Sequence, residues 1–416
     1  MIRPRMSEPF YIRRFDNGLT LLAERMPDVR SAAMNLLVPA GADTDPAGGR
    51  GSATVLAEMV MRGAGDRDAR ALTEHLDDLG LARSSGAGLH HARFTAAALA
   101  PNVMQGLAAY ADVVRRPRLA DEAFEPSRDL AVQALEGLQD NPQSLVMTRL
   151  REVAWPAPYG RNAMGELADL ARLTSAAVRA DFTARYSPRG AILAVAGDVD
   201  VARLSEDADR LFADWSAPAV PAVTLSSPES DVTFVEQDSQ QTHIAVAHPT
   251  ASETDADYYL SRLAVEVLSG GMSGRLFTEI REKKGLCYSV YASYSSAPGL
   301  GGVLSYAGTS NDRAQATLDG LLHELRRLRE GVTGDELDRA KIGLRAGTVM
   351  SGESSGARSA ALARDWFIRG RLRTLDEILA AIDAVTPAAM NRYLADHPAG
   401  PFTVVLLGPR RLDVAA

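Results

Sequence analysis

Arg281 and Tyr288, seven positions apart, stand in the stretch 271–296, GMSGRLFTEIREKKGLCYSVYASYSS. A guanidinium and a phenol both carry hydrogen-bond donors. Leu276, Phe277 and Ile280 recur at helical spacing, and Arg281, Lys283 and Lys284 fall in the last turn, where cations suit the helix dipole. Gly285 sits where a left-handed C-cap belongs. From 286 to 294 the pattern turns strand-like, rich in Tyr, Val and Ser. A helix-to-strand corner of this kind can aim both polar heads into one space. It can equally hold an arginine that caps a helix and a tyrosine half-buried in a sheet.

The other reactive residue types form no evident constellation. The chain has seven His and one Cys. His90 and His91 are adjacent at the start of a strand-like run, so their side chains are expected on opposite faces. His243 and His248 also fall on opposite faces of one run. His75 and His323 lie in helical patterns with no His one turn away, and His397 precedes a proline. Cys287 has no partner for a disulfide and reads as a packed strand residue. Gly270, Gly271 and Gly274 form a glycine turn without the GK[ST] of a phosphate-binding loop.

The elements that must position these residues are legible from periodicity. Asn17-Gly18 is a hairpin signal between two strand-like runs, and 31–38 is a further strand. Helices are predicted over 51–63, 68–81, 101–116, 121–139, 143–155 and 175–185, with strands at 93–99 and 191–196. The Arg-rich run 324–330 reads as a solvated helix face with charge pairs. Hydrophobic residues make up 46% of the 416-residue chain and charged ones 24%, as in ordinary globular proteins. The net charge of −8 and the lack of a basic run point away from nucleic acid. No apolar run reaches membrane-span length, and the N-terminal MIRPRMSEPF has no apolar core of a signal peptide. A cytoplasmic protein that uses neither nucleic acid nor a membrane is expected.

Residues 216–231, SAPAVPAVTLSSPESD, hold three prolines and no helical period and read as a linker. After it the pattern repeats. LTSAAVRADF followed by AILAVAG returns as VTPAAMNRYL followed by FTVVLLG, about 211 residues later. The expected organisation is an N-terminal half at 1–215, the linker at 216–231 and a C-terminal half at 232–416. The fold class is α+β: two duplicated halves, each with a mainly antiparallel sheet covered by helices.

Across nearly its whole length the chain resembles the pitrilysin-type zinc peptidases, the inverzincins, which include the mitochondrial processing peptidases. The first half carries NGLTLL, AGADTDPAGGRGSA, DNP, PYGRNAMG and YSPRGAILAVAGDVD; the second carries LSGGMSGRLF and the Arg281–Tyr288 stretch. The resemblance implies that Arg281 and Tyr288 bind substrate backbone and help stabilise the tetrahedral intermediate. It also implies that Gly270, Gly271 and Gly274 lie near substrate, as glycine-rich loops do in the family's non-catalytic subunits.

Active members carry H-x-x-E-H, two His and a third carboxylate holding zinc while the Glu activates water. Here the matching positions are Thr54, Ala57 and Glu58, the third ligand falls at Ala134, and no His lies between residues 1 and 74. The resemblance therefore implies a non-catalytic subunit, inactive alone and without a cofactor. Its partner would be a homologous zinc-bearing subunit in a heterodimeric metalloendopeptidase acting on an extended peptide. The alternative is a catalytically silent scaffold or peptide-binding protein, like the core subunits of respiratory complexes.

Overall fold

The computed structural model describes residues 10–220, 222–227 and 232–414; residues 1–9, the linker positions 221 and 228–231, and residues 415–416 lie outside the described residues. The chain forms two compact units, 1–137 with 161–224 and 351–372, and 138–160 with 225–350 and 373–416.

Unit 1 is built on a six-stranded sheet, in order β1-β2-β8-β3-β7-β6. Its strands are β1 (Phe10–Arg14), β2 (Thr20–Arg25), β3 (Ser31–Val38), β6 (Ala82–Ala87), β7 (Ala92–Leu99) and β8 (Ile192–Gly197). A short separate hairpin joins β4 (Gly63–Ala64) to β5 (Arg67–Asp68). Only β2 and β8 pair in parallel; the other neighbours in the sheet are antiparallel. The helices are α1 (Ser52–Met59), α2 (Ala69–Asp78), α3 (Ala100–Arg115), most of α4 (Asp121–Gln139), α6 (Leu167–Leu170), α7 (Ser175–Arg185) and α8 (Val201–Phe212). A further helix, α12 (Ser355–Arg369), comes from the far end of the chain.

Strand alternation explains why α12 is there. Leu21, Leu193 and Val195 point into the main core with α1, α3 and α8, while Leu22, Ile192, Ala194 and Ala196 point to the opposite face. That second apolar face also needs cover, and Leu362 and Ala363 of α12 supply it. Arg358 of α12 anchors it with two hydrogen bonds to Glu24 Oε2, at 2.9 and 2.6 Å.

Unit 2 repeats the plan. Its sheet, in order β11-β12-β10-β13-β9, contains β9 (Val232–Glu236), β10 (Gln241–Thr250), β11 (Ser289–Ala297), β12 (Leu300–Ser310) and β13 (Thr403–Gly408). From the β9 end, strand directions match those of β2-β8-β3-β7-β6, so β6 and β11 are equivalent edge strands. One face packs on α9 (Tyr258–Ser269), α10 (Ala314–Arg327), α11 (Gly334–Gly352), α13 (Leu375–Asp383) and α14 (Pro387–Asp396). The other, with Ala245, Ala247, Val405 and Leu407, is covered by Leu145, Val146 and Leu150 of α5 (Pro142–Ala154). The DNP landmark is the start of α5: Asn141 is its N-cap, accepting the Ser144 N–H at 3.0 Å, and Pro142 takes the first turn.

The repeat halves and the compact units thus differ, because each half sends one helix to the other unit's second sheet face. Glu324, expected on a solvated face, is only 2% exposed and pairs with Arg327 at 2.8 Å. Burial raises its carboxyl above the usual range, with Arg327 opposing. His90 and His91 lie in the turn before β7 rather than in the strand, and both rings pack on Phe367, at 5.2 and 4.5 Å. The opposite-face expectation fails because strand alternation does not extend into the turn.

Candidate functional site

Two corners hold the residues singled out by sequence, one beside each edge strand. In unit 1, α1 packs against β6. The helix starts at Gly51, whose φ of 102° and close approach to Leu170 and Met164 exclude a side chain. Asp45 caps it, accepting the Gly51 N–H at 2.7 Å and the Ala53 N–H at 2.9 Å. Asp45 also meets Arg185 at 3.1 Å, and Arg185 Nε donates to Asp181 at 2.6 Å. All three side chains are buried. Burial raises the Asp45 carboxyl above its ordinary range, and Arg185 opposes the shift. The AGADTDPAGGRGSA and PYGRNAMG segments meet here. Arg161 Nη1 donates to the Asp45 carbonyl at 3.3 Å, and a Cβ on Gly165 would fall 2.4 Å from Gly51 Cα.

This scaffold holds no metal-binding donor set. Thr54 donates its hydroxyl to the Ala163 carbonyl at 2.7 Å. Ala57 is buried with only a methyl group, and Glu58 faces Arg62 at 3.0 Å. Ala134 is an exposed methyl on α4. Two alanines, a committed hydroxyl and one paired carboxylate do not fit zinc, which takes three protein ligands in a catalytic site. Among the described residues, no group of three or more His, Cys, Asp or Glu could hold a metal.

In unit 2 the sequence-marked corner is a π-helix, Phe277–Lys283, which like α2 in unit 1 leads into the edge strand, here β11. The expected helix is present, but in the wider π form that recurs at functional sites. Gly285, at φ 59°, closes it: its N–H donates to the Arg281 carbonyl at 3.1 Å and the Leu286 N–H reaches Ile280 at 3.0 Å. Tyr288 stands one residue before β11, tied by its N–H to the Gly308 carbonyl at 3.0 Å. Its side chain is 63% exposed. Arg281 is exposed, its guanidinium 4.9 Å from the centre of the Phe277 ring. Among the described residues neither polar head has a hydrogen-bond or ion-pair partner. Cys287, between them in sequence, points inward, and burial pushes its thiol up to about 11, which keeps it unreactive.

Gly270 and Gly271 are exposed at the turn before this helix, and Gly274 is buried. Gly271 has φ 107°, while a Cβ on Gly270 would lie 2.5 Å from the Glu266 carbonyl and one on Gly274 2.8 Å from that of Leu268. Backbone geometry accounts for all three glycines. Arg275, in the same motif, makes a bidentate pair with Glu336, at 2.7 and 2.9 Å, and draws its carboxyl down to about 2. Sequence reading passed over Asp45, Asp181, Arg185 and Glu336. The Asp45–Arg185 and Arg275–Glu336 pairs join residues distant in sequence, and the Asp181–Arg185 pair, one helical turn apart, has the spacing of an ordinary surface ion pair.

A model described as insulinase (peptidase family M16) matches residues 20–166, and one described as the peptidase M16 inactive domain matches 172–344. The chain belongs to the M16 peptidase family. An uncharacterized zinc protease of Rickettsia bellii (strain RML369-C) is 27% identical over 411 residues, covering 98% of this chain and 100% of the relative. The uncharacterized zinc protease YmxG of Bacillus subtilis (strain 168) is 24% identical over 408 residues, covering 96% of this chain and 98% of the relative. Among solved structures, a peptidase M16 inactive domain from Pseudomonas fluorescens matches with a TM-score of 0.87, at 22% identity, covering 97% and 99% of the two chains. A protease from Helicobacter pylori matches with a TM-score of 0.88, at 20% identity, covering 96% and 99%. Both likenesses show the M16 fold. No helix among the described residues is long and apolar enough to cross a membrane.

Proposed function

We propose that this chain is the non-catalytic subunit of a heterodimeric M16 metallopeptidase, lending Arg281 and Tyr288 to a homologous zinc-bearing partner. The observation that carries the reading is the state of those two heads: exposed, unpartnered among the described residues, and set at an open sheet edge. An extended peptide laid along such an edge is gripped by main-chain hydrogen bonds. The guanidinium and phenol then donate to peptide carbonyls near the bond being cut. Bond cleavage belongs to the partner, since Thr54, Ala57, Glu58 and Ala134 give this chain no metal chemistry of its own. The names of the relatives include zinc proteases, and the same fold with the ligands replaced suits a subunit that positions substrate.

The test is co-expression with an H-x-x-E-H homologue, followed by co-purification and a peptide-cleavage assay on each chain and on the mixture. Cleavage by the mixture alone is expected, with zinc only in the partner. One tightly bound zinc per molecule of this chain, or cleavage by it alone, would overturn the reading. A stable pair that cleaves nothing would leave the silent scaffold.

A further inference from the structure

The face of the unit 2 sheet that α5 covers runs on past the end of that helix at Ala154. There Ala247 of β10, Leu304 of β12 and Thr403 of β13 line a cavity of about 280 Å³. They share one face because Ala247 pairs across the sheet with Leu304 on one side and Thr403 on the other. Ala154, Trp155 and Pro156 form a wall where the chain leaves α5. The Arg281–Tyr288 corner contributes nothing to the lining.

Most of this lining is apolar. It includes three prolines, Pro156, Pro249 and Pro401, which have no N–H to offer. No Asp, Glu, Lys or Arg lines the cavity, and its one titratable group, His248, is held neutral by burial, down to about 4. Two side-chain donors remain, on Trp155 and Thr403, which are only 9% and 6% exposed. Neither the Trp155 indole N–H nor the Thr403 hydroxyl has a hydrogen-bond partner among the described residues. Neither atom is sealed from accessible space, as the partnerless Nδ1 of His248 is. The indole turns its nitrogen-bearing edge toward Gly302, another lining residue, where a Cβ would lie 3.3 Å from Trp155 Cζ2 and 3.9 Å from Cε2. Gly302 therefore leaves room for the ring. Trp215, also buried, shows the usual state of such a group: its indole N–H donates to the Tyr186 carbonyl at 3.0 Å. A buried donor without a partner is costly, and a ligand that brings an acceptor relieves the cost.

We propose that this cavity binds a small neutral molecule that carries a hydrogen-bond acceptor, such as a carbonyl oxygen, on a compact apolar body. The body lies over Ala247 and Leu304, and the acceptor takes the Trp155 N–H, with the Thr403 hydroxyl as a second donor. A dry apolar cavity of about 150 Å³ holds benzene, so this one has room for a ring with a substituent. A charged ligand would give up its water and meet no opposite charge.

The test uses the full chain labelled with ¹⁵N-tryptophan and four probes of similar size and shape: acetophenone, 2-phenylpropene, benzoate and benzamidinium. The indole signal of Trp155 is the one missing from Trp155→Phe. Acetophenone is expected to move that signal saturably and to bind about five-fold or more tighter than 2-phenylpropene, which lacks only the oxygen. Both charged probes should bind at least about ten-fold more weakly than acetophenone. Thr403→Val with Trp155→Phe should bring acetophenone to the level of 2-phenylpropene, with binding then followed by probe-detected NMR. A Trp155 signal that acetophenone leaves in place overturns the proposal, as does 2-phenylpropene or a charged probe binding as tightly. An acetophenone preference that survives the double change does the same. If that variant does not fold, by circular dichroism, the probe ranking on the unaltered chain decides alone.

Discussion

In unit 1 the edge strand β6 lies beside α1, and the Asp45 carboxylate at the start of that helix is buried and spent on Arg185, as Arg185 is on Asp181. In unit 2 the equivalent edge strand β11 follows a π-helix whose Arg281 is exposed, as is Tyr288 at the start of the strand. Five strands of the two sheets share one topology, and the exposure of the charged groups differs. A corner whose polar groups are internally satisfied serves the fold. The corner whose donors face solvent without partners among the described residues is the one proposed above to hold substrate. Substitutions in the first should therefore cost stability and leave function in whatever folds, and those in the second should do the reverse.

The largest expected effect is in unit 1. Arg185→Met leaves two buried carboxylates without their cation, and breaking a buried pair in this way costs about 3–5 kcal/mol. Urea unfolding of the isolated chain measures it; a loss near zero would mean that the network does not anchor α1. Next comes unit 2. Arg281→Ala should lower turnover of the two-chain complex by about a hundred- to a thousand-fold. Its guanidinium lies over the Phe277 ring at an exposed site, a contact of about 0.5–1 kcal/mol, and makes no hydrogen bond or ion pair among the described residues, so unfolding should change little. An unfolding loss as large as that for Arg185 would erase the contrast.

Acid tests the interior of unit 2. His248 is held neutral, down to about 4, against the ordinary 6.5. Below pH 6.5 the unfolded chain takes up a proton that the folded chain refuses, so stability falls as pH drops toward 4. At pH 5.5 the loss from this one group is about 1 kcal/mol. Glu336, drawn down to about 2 by Arg275, adds to the loss as pH falls below its ordinary 4.5. Urea midpoints at pH 7.5 and 5.5 check the histidine contribution, and His248→Phe should reduce the difference between them without abolishing it, since burial also lowers His91, to about 3, and His243. The smallest effect is at Thr54, a position that matches the zinc motif of active relatives. Thr54→Val removes one hydrogen bond to Ala163, worth about 1 kcal/mol in thermal unfolding, and leaves turnover of the complex unchanged.

Much of the fold was legible because its signals are local. The strand expected over 31–38 is β3, and the helix expected over 121–139 is α4. The Asn17-Gly18 hairpin and the Gly285 cap follow from residues whose backbone preferences are strong. The edge strand β6 was not legible. ARSSGA has no β-branched or aromatic residue, and its strand form comes from pairing with β7. The exchange of α5 and α12 was also hidden, since a repeat shows which segments correspond and not which sheet a helix covers. At the site, Arg281 and Tyr288 were visible from type and spacing. The Asp45–Arg185 pair was not, because its members are 140 residues apart.

The central claim is that the unit 2 corner acts on a substrate cut by another chain. Turnover of the two-chain complex carrying Tyr288→Phe tests it most directly, because the change deletes one exposed hydroxyl and keeps the ring. Normalised to intact complex, with melting temperature followed in parallel, the account predicts a fall of about a hundred-fold or more at unchanged stability. Turnover equal to that of the unaltered complex would contradict it.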